Sequence, residues 1–209
     1  DAEKHGTEEA DMLIHVSEGA AAREPGTAPV WIFGHGIFGR PEYYLAKDDD
    51  PQAVIELADR AGAILVAGTW RGLTTKDLAT PVFVGNDFGR FPELTDKLVQ
   101  GVANTTALAW LVQEGGLLDD PVFEGLADVS RLFYYGISLG GIEGNVMAAN
   151  VDRLEFFVLH VPGSTWSTML ERSTNWTQFE PLVRDSIPSP ADRQLLFAVS
   201  QLLWDPVDP

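Results

Sequence analysis

Cysteine is absent from the 209 residues, so neither a disulfide nor a thiol nucleophile can figure in what this chain does. The absence does not fix a compartment, because many secreted bacterial proteins also lack cysteine. Basic residues are few: 14 Lys and Arg stand against 31 Asp and Glu, for a formal charge of −17. Such a chain repels nucleic acid and anionic membrane surfaces alike, and its substrates are expected to be neutral. No run of about 18 apolar residues occurs, so no membrane-spanning helix is expected. Repeats and low-complexity tracts are missing. So are an initiating Met and a signal peptide; residues 1–10 read as a polar leader of a processed or excerpted chain. Histidine is scarce, with only His5, His15, His35 and His160.

What is present suffices for one sizeable core, since 45% of the residues are hydrophobic. The acidic residues are spread along the chain, and the run Asp48-Asp49-Asp50 reads as solvated surface, so no metal site is inferred from it. Short apolar runs at 11–16, 29–34, 63–67, 131–135 and 154–161 predict strands. Helical spacing at 51–61, 94–113 and 141–150 fills the intervals. Strand and helix in alternation imply a mostly parallel α/β sheet flanked by helices, with a core over 11–163. Residues 164–209 change character. No strand is evident there, and two helix-like segments rich in Trp, Phe and Leu form either an ordinary helical layer or a cap over an apolar pocket.

One heptapeptide carries the chemistry: Tyr135-Gly136-Ile137-Ser138-Leu139-Gly140-Gly141 lies where a strand-like run meets a helix-like run. A chain that turns from strand to helix within a residue or two forces the serine into a strained backbone, and side chains two positions either side would collide. Gly136 and Gly140 remove that clash. Alone, G-x-S-x-G is a weak signal, because a glycine-rich turn whose serine merely caps the following helix has the same spelling. A second motif supplies context: Gly34-His35-Gly36-Ile37-Phe38-Gly39 directly follows a buried strand. Glycines there let backbone N–H groups approach a developing oxyanion.

On these two motifs and their order, residues 11–163 resemble the α/β-hydrolase superfamily in its lipase and esterase branch. More loosely, the elbow followed by Val161-Pro162-Gly163 and the helical stretch ending Leu203-Trp204-Asp205-Pro206 look like large secreted or surface-anchored bacterial esterases of lipase type. The resemblance implies Ser138 as nucleophile, and oxyanion N–H groups from Leu139 and from Ile37 or Phe38. It makes His35 and Gly36 loop-shaping residues. It further implies hydrolysis of a small neutral or apolar carboxylic ester without metal or organic cofactor, in a secreted, periplasmic or cell-surface setting. Trp70, Tyr43 and Trp166 are candidate pocket residues, each equally readable as a packed aromatic; Tyr44 shares the ambiguity.

The family's acid and histidine follow the serine in the chain, and here they are hard to find. His160 alone lies downstream of Ser138. It is the candidate base within the chain, although a histidine inside an apolar run is more often a satisfied core or pocket residue. Asp205 and Asp208 follow a helical segment rather than a strand, so they do not match the acid position. The stretch after Ser138 is also short for two further strands and helices. The expectation is therefore that acid and histidine come from sequence beyond residue 209, either the rest of the same protein or a cleaved second chain. The isolated fragment should then be nearly inactive. The alternative is a catalytically inactive hydrolase-like module for binding or assembly.

Overall fold

The computed structural model describes residues 7, 9–46, 53–154 and 156–209. Most of the 1–10 leader with His5, the acidic run at 48–50 and the first residues of the 51–61 helix lie outside the described residues. The elements run β1 (Met12–Val16), α1 (Glu18–Ala21), β2 (Ala28–Gly34), α2 (Glu42–Leu45), α3 (Ala53–Ala61), β3 (Ile64–Gly68), α4 (Ala79–Asn86) and α5 (Phe91–Gln113). They continue with β4 (Ala127–Ile137), α6 (Leu139–Asn150), β5 (Phe157–His160), α7 (Trp166–Met169), α8 (Glu180–Ser186) and α9 (Pro190–Trp204). The strands form one sheet in the order β1-β3-β2-β4-β5, with β1 antiparallel and every other pair parallel. This is the expected α/β architecture.

The central strands read as unbroken apolar runs because both of their faces are covered. Val30 and Ile32 of β2 and Ile64 and Val66 of β3 face a large core built with α5 and α6. The alternate residues Phe33, Leu65 and Ala67 join a smaller core with α2 and α3. α5 supplies Leu94, Leu98 and Leu108 at helical spacing, and α6 supplies Leu139, Ile142 and Met147.

β4 and α4 are among the elements that differ from the sequence pattern, as are the short helices α1 and α2 and the strand β5, which is confined to Phe157–His160. β4 begins at Ala127 rather than Arg131, passing through Asp128-Val129-Ser130, which predicts a turn. The turn is there, with Asp128 Oδ1 accepting from Ser130 N (3.1 Å) and Ser130 Oγ (2.6 Å). It is absorbed as a bulge, since the register on β2 jumps between Pro29 and Val30. α4 has no counterpart among the expected helices: Pro81 and Gly85 give it low intrinsic propensity, and its packing on α5 and α8 supplies what propensity does not.

The 164–209 stretch is helical, as its composition suggests, and it is tied down at both ends. The Asp208 carboxylate accepts from the N–H groups of Thr165 (2.7 Å) and Trp166 (2.8 Å). The Trp166 indole donates to Val207 O (3.0 Å). Trp204 stacks on Trp166 and meets Phe91 of α5 edge-on, with both centroid distances 4.9 Å. Among the described residues, no helix is long and apolar enough to cross a membrane.

Candidate active site

Ser138 joins β4 to α6 with φ 54° and ψ −111°, a conformation that L-residues rarely adopt. The flanking glycines are obligatory. A Cβ on Gly136 would lie 2.1 Å from Gly140 O, and one on Gly140 would lie 2.1 Å from Gly34 O. The serine is held through its backbone: its N–H donates to His160 O (2.9 Å), and its carbonyl accepts from Gly141 N (2.9 Å) and Ile142 N (3.0 Å). Its side chain makes no capping bond to α6, so the helix-cap reading of the motif does not describe it. Tyr134, fully buried, braces the turn by donating to Gly140 O at 2.6 Å.

The loop after β2 lies against the elbow, with Gly140 N donating to His35 O at 3.0 Å. His35 is fully buried, and its ring links two loops: Nδ1 donates to Gly36 O (2.8 Å), while Nε2 accepts the Trp70 N–H (3.0 Å). That pairing requires the neutral ring, and burial lowers its pKa from 6.5 to about 4. Phe38 sits at φ 53° and its N–H donates to Leu73 O (2.8 Å), so it is engaged elsewhere. Ile37 N–H makes no hydrogen bond to a described residue. Leu139 is the first residue of α6, where N–H groups have no intrahelical acceptor.

The next loop, 69–78, holds a partly buried ion pair that sequence reasoning does not find. The Asp77 carboxylate accepts from Gly72 N (2.7 Å), Thr74 Oγ1 (3.0 Å) and Lys97 Nζ (2.8 Å). Burial works against its charge, but the bonds from Lys97, Gly72 and Thr74 outweigh that and hold its pKa below the ordinary value. The cluster pins the 69–78 loop, which in turn grips the β2 loop through Trp70 and Leu73. Thr74-x-x-Asp77 is a capping-box spelling, the one local signal for it. Among the described residues, no group of three or more His, Cys, Asp or Glu converges as a metal site would.

The aromatic pocket candidates separate cleanly. Trp166 lines an apolar cavity of about 450 Å³ together with Ser138, Leu139, Ile37 and Phe38. Trp70 does not, because it is buried against Gly101 of α5 with only its backbone reaching the His35 loop. Tyr43 points to solvent under the Arg40 guanidinium, 4.9 Å away. It is Tyr44 that touches the loop, accepting from Gly36 N at 3.3 Å. Val84 of α4 and residues of the 164–209 helices also line the cavity.

His160 is near the serine only through its backbone. Along β5 the side chains alternate, and its ring lies on the exposed side, stacked on Tyr135 with Nδ1 3.1 Å from the Tyr135 hydroxyl. Asp208 is occupied as the cap of α7. One turn beyond Ser138, Glu143 is fully buried with neither carboxyl oxygen hydrogen-bonded to a described residue. Burial, and secondarily the charge of Asp208, push its pKa well above the usual carboxyl value.

No protein-family model matches the chain, and no curated protein matches it. Solved structures do. Acetyl xylan esterase 1 from Thermoanaerobacterium sp. superposes with a TM-score of 0.52 at 19% identity, over 89% of this chain and 56% of that one. Acylaminoacyl peptidase from Pyrococcus horikoshii gives 0.47 at 20% identity, over 93% and 28%. A hyperthermophilic esterase from Pyrobaculum calidifontis gives 0.45 at 15% identity, over 91% and 59%. The chain thus spans little more than half the length of the first of these, and it has the α/β-hydrolase fold.

Proposed function

We propose that this chain carries the nucleophile and oxyanion hole of a serine hydrolase acting on carboxylic esters. The observation that carries the reading is the strained, glycine-flanked Ser138 at the wall of an apolar cavity. Ser138 Oγ bonds to the ester carbonyl carbon while its proton passes to a base, and the carbonyl oxygen becomes an oxyanion between the N–H groups of Leu139 and Ile37. Collapse expels the alcohol, which takes up that proton. Water then hydrolyses the acyl-serine to return the enzyme and a carboxylic acid. Of the two loop donors considered from sequence, Ile37 fits better than Phe38, whose N–H donates to Leu73 O.

The base and its acid partner come from polypeptide outside these residues, from the same protein or a second chain. Two facts support this: the His160 ring is bonded to Tyr135 on the exposed side of β5, and His35 is held neutral by two bonds of its own. The test is a fluorophosphonate probe applied to the intact natural protein and to its Ser138→Ala variant. Labelling at Ser138 that the variant abolishes is the expected result. An unlabelled serine in the intact protein would favour the inactive binding or assembly module. The isolated 209-residue chain should turn esters over some orders of magnitude more slowly than the intact protein.

A further inference from the structure

Resting on that reading of Ser138, we infer that the adjoining cavity takes a single unbranched hydrocarbon chain of about ten to eighteen carbons, and that α4 and α8 set the limit on its length. The size follows from volume. An apolar protein cavity of about 150 Å³ holds one benzene, six carbons, and this cavity of about 450 Å³ is roughly three times larger. The chemistry follows from the wall. Phe91, Leu94, Trp166, Phe197 and Trp204 form its floor, all more than nine-tenths buried. A sugar or other polyol placed there would give up its water bonds and find few partners, whereas a methylene chain gives up none. Polar lining groups such as Arg172, Ser173 and Asn175 come from the segment between α7 and α8, and Arg172 is exposed, so polarity is concentrated away from that floor.

The cavity also has a defined way of limiting length. Val84 of α4 and Val183 of α8 both line it, and both are buried, so enlarging either side chain removes volume from the cavity rather than from solvent. Phe38 of the oxyanion loop packs on Phe179 at 5.7 Å, which places the aromatic side chain next to Ile37 against the 164–209 helices. A chain that fills the cavity therefore lies beside the residue that helps hold the carbonyl oxygen.

The measurement is binding of saturated fatty acids from four to eighteen carbons, and in parallel of 1-alkanols of the same lengths, followed by fluorescence of the tryptophans in the wall. Affinity should rise roughly threefold to fourfold per methylene, as transfer of a buried CH₂ requires, and then level off. The steeper series assigns the chain to the acyl or to the alcohol side of the ester. Val84→Phe should bring the levelling-off to chains about three to four carbons shorter. Should that variant fold poorly, Val183→Phe tests the same wall from α8. Affinity that does not increase beyond four carbons, or a plateau that neither variant moves, would overturn the inference. Binding that behaves as expected in a protein whose Ser138 resists the fluorophosphonate would retain the chain pocket and remove the hydrolase. Labelling without any dependence on chain length would do the reverse.

Discussion

On one side of the sheet, Ile32, Tyr134 and Leu132 lie fully or almost fully buried beneath α5 and α6. On the other, α2 and α3 cover Phe33 and Leu65, but toward β5 Trp31 and Tyr135 are only partly covered, and Val158 and Phe156 are 58% and 60% exposed. The side chains are of the same kind; the cover is not. A hollow of about 520 Å³ runs across the open side, from Leu57 and Ala61 of α3 over Trp31 and Phe133 to Val158 at the β5 edge. Phe156, Val158 and Leu57 are its most exposed apolar side chains. Ser138, the loop after β2 and the cavity belong to the finished side, and the polypeptide proposed to supply base and acid would meet the unfinished one. If the two sides differ in this way, substitutions on them should differ by several kcal/mol.

The largest effect is expected at Trp204, which is 1% exposed and packed between Trp166 and Phe91. Trp204→Ala should cost about 3–5 kcal/mol in urea or thermal unfolding, as aromatic truncation in a closed core does. A loss below about 1 kcal/mol would mean that the 164–209 helices are loosely attached and that the cavity has no fixed floor.

Next comes pH, where the finished side should be vulnerable from both directions. His35 is held neutral, so the stability it confers is complete above its ordinary value of 6.5 and is lost as pH falls toward about 4. The loss amounts to about 3 kcal/mol for a shift of this size. Stability measured by urea titration should fall over that window, and the fall should be smaller in His35→Asn. Glu143 acts in the opposite sense. Its folded pKa is raised, so its contribution is intact below the ordinary carboxyl value and is lost as pH rises toward and through the folded one. Glu143→Met, which removes an unpartnered buried acid while keeping its volume, should stabilise the protein at pH 7 by about 1–3 kcal/mol. It should also flatten the alkaline limb. A destabilised Glu143→Met would mean that the carboxyl has a partner after all.

Much of the finished side is legible in the sequence alone. Unbroken apolar runs betray strands covered on both faces, and Gly136, Ser138 and Gly140 announce the elbow because only one backbone geometry makes both glycines necessary. Other features depend on what the chain folds against. Asp128-Val129-Ser130 spells a turn whether it ends a strand or bulges within one. α4 carries Pro81 and Gly85, and its helix exists because α5 and α8 hold it. Trp70 at a strand end reads identically whether its ring enters a pocket or the core, and Asp77 meets Lys97 only across 20 residues. Nor does the spelling of β5 tell which of its faces will be covered, since Phe157 and Val158 are equally apolar.

The smallest expected effect on stability is the sharpest test of the comparison. Val158→Ser places a hydroxyl on a residue already 58% exposed at the sheet edge, so the change in unfolding free energy should stay within about 0.5 kcal/mol. Self-association should fall at the same time, because an edge strand with an apolar side is prone to pairing with another chain. Sedimentation of the 209-residue chain against its Val158→Ser variant measures this directly. In the intact natural protein the same substitution should instead be destabilising, by about 1 kcal/mol or more, if additional polypeptide covers Val158 there. The contrast between the two contexts, rather than either number alone, distinguishes a surface awaiting its cover from one that water covers permanently. Equal and small effects in both would leave the open side open, and the proposed base would have to be sought elsewhere.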